Sequence, residues 1–222
     1  MNFGKEPIVM SYVLCILLSY LIGTINPAYI FSKIRGFDIR QKGSGNAGAS
    51  NVLIVLGKAW GVLCAVLDIA KAMLAIHLCH MLFPSLAYGF TVSGVFCVIG
   101  HIFPFYMKFK GGKGLACIGG MVLRYDPFVF LAMLWLEGVL VLVTNYICFV
   151  PMTAVILFPV IYGVMERDLI GALILCVLIP VVFYKHKENL KRIKNGTELR
   201  FSYLWNKEKE IERLNLPQEE NQ

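Results

Sequence analysis

The sequence predicts an all-α polytopic membrane protein with about seven transmembrane helices, because apolar residues dominate it and come in long runs. Hydrophobic residues make up 58% of the 222 residues and charged residues 16%, whereas a soluble domain carries about a quarter charged residues. A run of roughly 17–25 apolar residues crosses a bilayer as a helix. Mostly apolar runs of about this length lie near 8–31, 59–80, 86–107, 128–147, 147–165 and 168–184.

The positions of the basic residues predict how these helices are oriented. Of the 21 Lys and Arg residues, five lie in 33–58, three in 108–113 and nine from Lys185 onward. The only Lys or Arg residues in the connections at 81–86, 124–127 and 166–168 are Arg124 and Arg167. Since cytoplasmic loops are enriched in Lys and Arg, we expect the three basic stretches on the cytoplasmic side. The N-terminus is then outside and the C-terminus is cytoplasmic.

This orientation requires an odd number of crossings, so the short apolar piece 114–123 is expected to cross as well. Its residues, at 1.5 Å each, span about 15 Å, or about half of the hydrocarbon core. A helix this short has to pack among other helices, where protein or water satisfies its backbone ends. Seven crossings are predicted. Five are the alternative, if two of the later pieces count as one.

The chain is predicted to form one integral membrane domain, 1–200, followed by a polar C-terminal tail, 201–222. Within the tail, the weakly amphipathic stretch FSYLWNKEKEIERL is expected to lie along the membrane surface as an interfacial helix. All seven cysteines lie in apolar segments without a C-x-x-C pair, so they are interpreted as small buried hydrophobic residues. The excess of basic residues is explained by topology and anionic lipid headgroups rather than by nucleic acid.

The first polar motif, GSGNAGASN at 43–51, matches the dinucleotide-binding pattern G-x-G-x-x-G. That pattern functions between a strand and a helix, and here it lies between membrane spans, so we reject the dinucleotide interpretation. A glycine-rich turn before a helix N-terminus can instead bind an anion. Side-chain donors come from Ser44, Asn46, Ser50 and Asn51. The alternative is a flexible loop whose Ser and Asn residues cap the next helix.

The second motif, GHIFPFYMKFKGGKG at 100–114, repeats this arrangement. Lys108, Lys110 and Lys113 surround a glycine pair at the predicted start of the short helix. The motif is not a P-loop, which requires GxxxxGK followed by Ser or Thr. His101 is a candidate base, but a lone histidine near a helix end is more often a hydrogen-bonded structural residue, and we favour the structural interpretation.

The third motif, HKENLKRIKNGTE at 186–198, directly follows the last span. His186 and Asn189 are three residues apart and therefore share a helix face. Lys191, Arg192 and Lys194 can neutralise a phosphate, although basic residues in this position often only meet lipid headgroups.

Three charged residues lie inside the predicted spans. Asp68 and Lys71 have opposite sign at a spacing of three residues, which favours a structural ion pair. Glu137 has no partner that the sequence reveals. Together, the glycine and lysine motifs and the His/Asn pair predict a phosphorylated, amphiphilic substrate. The residues alone do not distinguish a transferase from a transporter.

The motifs together resemble a known enzyme family. GSGNAGASN followed by VLGK, then LDIAK, GHIFPFYMKFKGGKG and HKENLKRIKNGTE, occur in the order of the bacterial acyl-phosphate:glycerol-3-phosphate acyltransferases of the PlsY type. The likeness runs from Ile22 to Glu198. It implies a multi-pass enzyme of the bacterial cytoplasmic membrane, with its active site facing the cytoplasm. Such an enzyme moves a fatty acyl group from acyl-phosphate to the 1-hydroxyl of glycerol 3-phosphate, giving lysophosphatidate for phospholipid synthesis.

The resemblance also implies partners and site residues. Membrane lipids and a soluble acyl-phosphate synthase are the expected partners, and no metal or cofactor is implied. The implied catalytic residues are Lys113, His186, Asn189 and Ser50. The implied substrate-binding residues are Gly43, Ser44, Gly45, Asn46, Gly48, Asn51, His101, Lys110, Gly111 and Gly112.

The chain departs from the family pattern at two places. Ile54 stands where the family usually has a substrate-binding Arg. Asn145 and Cys148 stand where the family has the Arg and Ser of its Arg-Tyr-x-Ser sequence. The alternatives are therefore a divergent paralogue with another acceptor, or a non-catalytic binder or transporter of a phosphorylated solute. A transporter is expected to show internal repeats, and the sequence contains none.

Overall fold

The computed structural model describes residues 8–214, and the regular secondary structure of this range is helical. We number the helices α1 to α11 in chain order. They are Ile8–Thr24, Pro27–Ile34, Ala49–Leu56, Lys58–Leu82, Gly89–Ile102, Leu115–Tyr125, Pro127–Thr144, Phe149–Glu166, Leu169–Cys176, Leu178–Lys194 and Lys207–Leu214. Short 3-10 turns lie at Ile39–Gln41, Phe105–Met107 and Phe201–Leu204.

Six helical stretches of the described range are long and apolar enough to cross a membrane. α1 with α2 forms one and α9 with α10 forms another, and the remaining four contain α4, α5, α7 and α8. The short piece predicted at 114–123 is helix α6, which has 11 residues. The prediction of an all-helical, multi-span membrane protein is confirmed.

Polar caps and prolines start several of these helices. Asn26 precedes Pro27 at the start of α2, and its side chain accepts a hydrogen bond from Tyr29 N at 2.8 Å. Asp126 precedes Pro127 at the start of α7 and accepts from Val129 N at 2.8 Å. A capping oxygen followed by proline satisfies one free N–H and removes another. These two helices therefore begin at fixed residues.

Small residues allow α1 and α5 to pack closely against each other. A Cβ atom on Gly23 would overlap the backbone carbonyl of Cys97, and one on Gly100 would overlap that of Tyr20. Glycine at such positions lets helix backbones approach inside a membrane, where van der Waals contact replaces the hydrophobic effect as the driving force. This contact brings the first and second motifs, which follow α2 and α5, to the same end of the bundle.

The basic connections gather at that end. Arg40 donates to Met107 O at 2.7 Å, which joins the first basic stretch to the second. Lys113 donates to the side chain of Asn189 at 2.5 Å, which joins the second to the third. At the opposite end, Tyr125 donates to the Glu166 carboxylate at 2.8 Å. The structure thus groups the connections as the distribution of Lys and Arg predicts.

The charged residues inside the bundle have partners. Lys71 Nζ lies 2.7 Å from Asp68 Oδ1, which confirms the predicted ion pair, and it also donates to Ile25 O at 2.5 Å. Glu137 accepts from the Thr153 hydroxyl at 2.7 Å. Thr153 is on the neighbouring helix α8, so no local pattern in the sequence indicates this contact.

Candidate active site

A cavity of about 540 Å³ opens between the three basic stretches. All three motifs contribute to its wall. The lining residues are Asp38, Arg40, Gln41, Ser44, Gly45, Asn46, Lys108, Lys110, Gly111, Lys113, Lys185, Glu188, Asn189 and Arg192. Six of these are cationic and two are acidic. The cavity therefore favours an anionic ligand.

The first glycine turn is shaped by Asn51, which is fully buried. Its Oδ1 accepts from Ser44 N at 2.7 Å, and its Nδ2 donates to the carbonyls of Ile39 and Lys42 at 3.0 Å each. Gly43 has a φ of +57°, and a Cβ there would overlap the Asn51 amide. Asn51 is thus an internal brace of the loop and lies behind the cavity wall.

Arg40 connects the first turn with the second motif. Its guanidinium binds Asp38 at 2.7 and 2.9 Å and donates to Met107 O at 2.7 Å. The hydrogen bond from Arg40 lowers the pKa of Asp38 to about 2. Both residues line the cavity, and the sequence analysis missed them as site residues. The sequence Asp-x-Arg directly before a glycine turn is the pattern from which both could have been recognised as site residues.

The second glycine turn lies against His101. Gly111 N donates to Ile102 O at 3.0 Å, and Gly112 N donates to His101 O at 3.2 Å. A Cβ on Gly112 would overlap the His101 ring. His101 is buried, and its Nδ1 lies 2.9 Å from Lys71 Nζ. The ring supports the turn from inside the bundle, which fits the structural interpretation of His101, and its expected role in binding substrate stays a prediction.

Asp68, His101 and Cys117 bring three possible metal-binding atoms within 4.8 Å of one another. The ammonium group of Lys71 lies 2.7 Å from Asp68 Oδ1 and 2.9 Å from His101 Nδ1. A cationic side chain therefore already occupies the position that a metal ion would need, and the cluster is best described as a buried polar network.

Lys113 and Asn189 form the centre of the cavity wall. Lys113 donates to Asn189 Oδ1 at 2.5 Å, and Asn189 Nδ2 donates to Glu198 at 2.5 Å. Glu198 also accepts from Arg192 Nε at 2.6 Å. Burial, with a smaller contribution from nearby Arg192, lowers the pKa of Lys113 to about 8. Lys113 is thus a charged, partly desolvated donor whose position Asn189 fixes.

His186 is buried behind this wall on α10. Its Nδ1 lies 2.8 Å from Val182 O. A carbonyl oxygen only accepts, so Nδ1 carries the proton and Nε2 is left as a hydrogen-bond acceptor.

The structure brings together about half of the predicted site residues. Those that line the cavity are Ser44, Gly45, Asn46, Lys110, Gly111, Lys113 and Asn189. Those that lie outside its lining are Gly43, Gly48, Ser50, Asn51, His101, Gly112 and His186. Ser50 is an exposed residue in the first turn of α3, and its expected catalytic contact stays a prediction.

A helical, multi-span membrane protein with a cationic, glycine-lined cavity at one end has the architecture of an enzyme or carrier for an anionic, lipid-linked substrate. Comparison with known proteins narrows this class. A model of the glycerol-3-phosphate acyltransferase family matches residues 13–196. The chain therefore belongs to the glycerol-3-phosphate acyltransferase family, and it is an acyltransferase.

Individual relatives agree with this assignment. The glycerol-3-phosphate acyltransferase of Bacillus subtilis (strain 168) is 37% identical over 196 residues, which cover 88% of this chain and 100% of the relative. That of Geobacillus kaustophilus (strain HTA426) is 38% identical over 187 residues, covering 83% and 93%. The crystal structure of PlsY (YgiH), an integral membrane glycerol 3-phosphate acyltransferase, in its glycerol 3-phosphate form is also similar. Its TM-score is 0.78 at 32% identity, covering 87% of this chain and 97% of that one.

Proposed function

We propose that this enzyme transfers a fatty acyl group from acyl-phosphate to the 1-hydroxyl of glycerol 3-phosphate, giving lysophosphatidate for phospholipid synthesis. The observation that carries the proposal is the hydrogen bond from Lys113 to Asn189 at 2.5 Å in the wall of a cavity rich in cations. It joins the second and third motifs beside the Ser44–Asn46 turn, so one cavity offers an ammonium and side-chain hydrogen-bond donors to phosphate oxygens.

The reaction needs two anions held side by side. The glycerol hydroxyl oxygen attacks the acyl carbonyl carbon and forms the new ester bond, while the bond from that carbon to the phosphate oxygen breaks. Phosphate is a good leaving group, so alignment and charge balance supply most of the catalysis. Lys113 stabilises negative charge on phosphate as a point charge, and Ser44 and Asn46 provide donors that orient the acceptor.

The hydroxyl proton passes to a substrate phosphate oxygen, so the reaction requires no protein base. Asn189 positions Lys113 and contacts the acceptor. His186 lies behind the wall on α10, the helix that also carries Asn189.

The missing family arginine does not remove the positive charge of the cavity. Ile54 lies outside the lining, whereas Arg40 and Arg192 both line it. This retained charge supports a phosphorylated acceptor such as glycerol 3-phosphate.

We further propose seven crossings, with α6 as the short one, the N-terminus outside and the cavity facing the cytoplasm. The grouping of the basic connections at the cavity end supports this orientation. A cytoplasmic cavity is also accessible to glycerol 3-phosphate and to acyl-phosphate delivered by a soluble synthase.

The test is to incubate the purified protein with acyl-phosphate and glycerol 3-phosphate and to measure both products. We expect lysophosphatidate and an equal amount of phosphate. Absence of both lysophosphatidate and acceptor-dependent phosphate release refutes the proposal. Phosphate release that depends on a different added acceptor, and not on glycerol 3-phosphate, identifies the divergent-paralogue alternative.

A further inference from the structure

The C-terminal segment 200–214, which we term the strap, folds back onto the end of the bundle that contains the cavity. Its first attachment is Asn145, in the connection between α7 and α8. Phe201 N donates to Asn145 O at 2.8 Å, and Ser202 N donates to Asn145 Oδ1 at 2.9 Å. Asn145 Nδ2 donates in turn to Ser202 Oγ at 3.2 Å. The backbone carbonyl and both polar side-chain atoms of Asn145 thus bind the strap.

The second attachment is Arg213, on helix α11 of the strap. Its guanidinium donates to the backbone carbonyl of Gly196 and, at 2.7 Å, to that of Glu198. The same guanidinium binds the Glu210 carboxylate at 2.7 Å. Glu210 is 3% exposed, so this ion pair is sheltered from water. Arg213 therefore holds both the strap and the chain that follows α10.

Glu198 connects the strap to the active site. Arg213 fixes its backbone, while its carboxylate accepts from Asn189 at 2.5 Å and from Arg192 at 2.6 Å. Asn189 accepts from Lys113 at 2.5 Å. A chain of hydrogen-bonded residues therefore runs from Arg213 through Glu198 and Asn189 to Lys113, the cation assigned to substrate phosphate.

The strap lies outside the part of the chain that the family shares. The family match ends at residue 196, before the strap begins.

We propose that the strap positions the active site. Arg213 is the positioning residue that holds the Glu198 backbone and thereby sets Asn189 and Lys113 for the phosphate of the acceptor, and Asn145 anchors the strap that carries Arg213. The inference rests on the proposed function, because its effect is expressed as affinity for glycerol 3-phosphate. Neither Arg213 nor Asn145 lines the cavity between the three basic stretches, so Arg213 acts through Glu198 and Asn145 acts through the strap.

The test is steady-state kinetics of the full-length protein in detergent, with saturating acyl-phosphate and varied glycerol 3-phosphate. We expect Arg213→Ala to raise KM for glycerol 3-phosphate about five- to tenfold, the effect of losing hydrogen bonds that hold the site, while kcat changes less. Arg213→Lys is expected to recover part of this loss, since an ammonium reaches only part of what the planar guanidinium binds. Lys209→Ala is the matched control, because it removes the same charge from an exposed position on α11.

Asn145→Gly provides a second variant should Arg213→Ala fold poorly. Asn145 has a φ of +63°, which glycine adopts without strain, so only the side-chain contacts to Ser202 are lost. We expect a smaller rise in KM than in Arg213→Ala. A KM within about twofold of the wild type in the folded variants, or a fall in kcat at unchanged KM, overturns the proposal.

Failure of the proposed function gives a different result. If the wild-type protein shows no turnover, calorimetry with inorganic phosphate replaces kinetics as the measurement. Weaker phosphate binding by Arg213→Ala than by Lys209→Ala then supports the strap's positioning role, and equal phosphate binding refutes it.

Discussion

Lys113 offers the sharpest test of the proposed site, because its environment makes two separate predictions. Lys113→Ala removes an ammonium that donates to Asn189 at 2.5 Å in a partly desolvated wall. A charge-assisted hydrogen bond of this kind contributes roughly 1.5–3 kcal/mol. We therefore expect kcat/KM to fall about ten- to a hundredfold, measured as the initial rate of lysophosphatidate formation at varied glycerol 3-phosphate.

The second prediction concerns pH. Burial lowers the pKa of Lys113 to about 8, so the side chain is charged below that pH and neutral above it. KM for glycerol 3-phosphate should rise as the pH passes through about 8. Lys113→Arg should recover part of the activity and lose this pH dependence, because a guanidinium stays charged.

Lys58→Ala is the control for both predictions. Lys58, like Lys113, is one of the basic residues expected on the cytoplasmic side. It is exposed at the start of α4, outside the cavity. Should both lysines only touch lipid headgroups, the two alanine variants would have equally small effects in protein of matched folding. That result would refute the phosphate-binding role of Lys113.

Three further predictions concern the bundle and the wall of the cavity. Arg40→Ala should raise KM for glycerol 3-phosphate about tenfold through loss of the link to Met107, and an unchanged KM in kinetic assays contradicts this. Asp68→Asn leaves the Lys71 ammonium uncompensated and should destabilise the protein by about 3–5 kcal/mol in thermal or denaturant unfolding. Replacing both Asp68 and Lys71 by apolar residues should restore most of the lost stability. An equal loss of stability in the double variant contradicts the ion-pair argument. Single cysteines at 42 and 194, in a cysteine-free background, should resist an impermeant label applied to intact cells, whereas cysteines at 124 and 167 should react, and the reverse pattern overturns the orientation.

The sequence predicted the features that depend on composition and local spacing. Apolar runs located the spans because hydrocarbon demands length and apolarity. The basic connections were grouped correctly because charge is excluded from the membrane interior. The Asp68–Lys71 pair was predictable from a spacing of three residues on one helix.

Features that depend on side-chain direction or on distant elements were not predictable. Ser50 faces solvent and Asn51 faces inward, although they are neighbours in one motif, because the start of α3 turns them to different sides. His101 is close in sequence to the lysines of the second motif. Its side chain is nevertheless held inside the bundle by Lys71, which belongs to another helix. The tail was expected to lie on the membrane surface, which stays a prediction. Within its described part, hydrogen bonds to Asn145 and Glu198 tie it to the bundle, and residues 215–222 lie outside the described range.

The length of α6 determines where in the membrane the chemistry takes place. Its 11 residues cover about 16 Å at 1.5 Å per residue, whereas the hydrocarbon core is about 30 Å thick. On the proposed topology, α6 therefore covers only about half of the core, and Lys113 at its start lies below the cytoplasmic boundary of the hydrocarbon. With the proposed reaction, the water-soluble acceptor has to descend to the depth of the lipid chains, and the single-chain product is expected in the cytoplasmic leaflet. Such an arrangement adds new lipid mass to one side of the bilayer, so that moving lipid to the other leaflet requires a separate process.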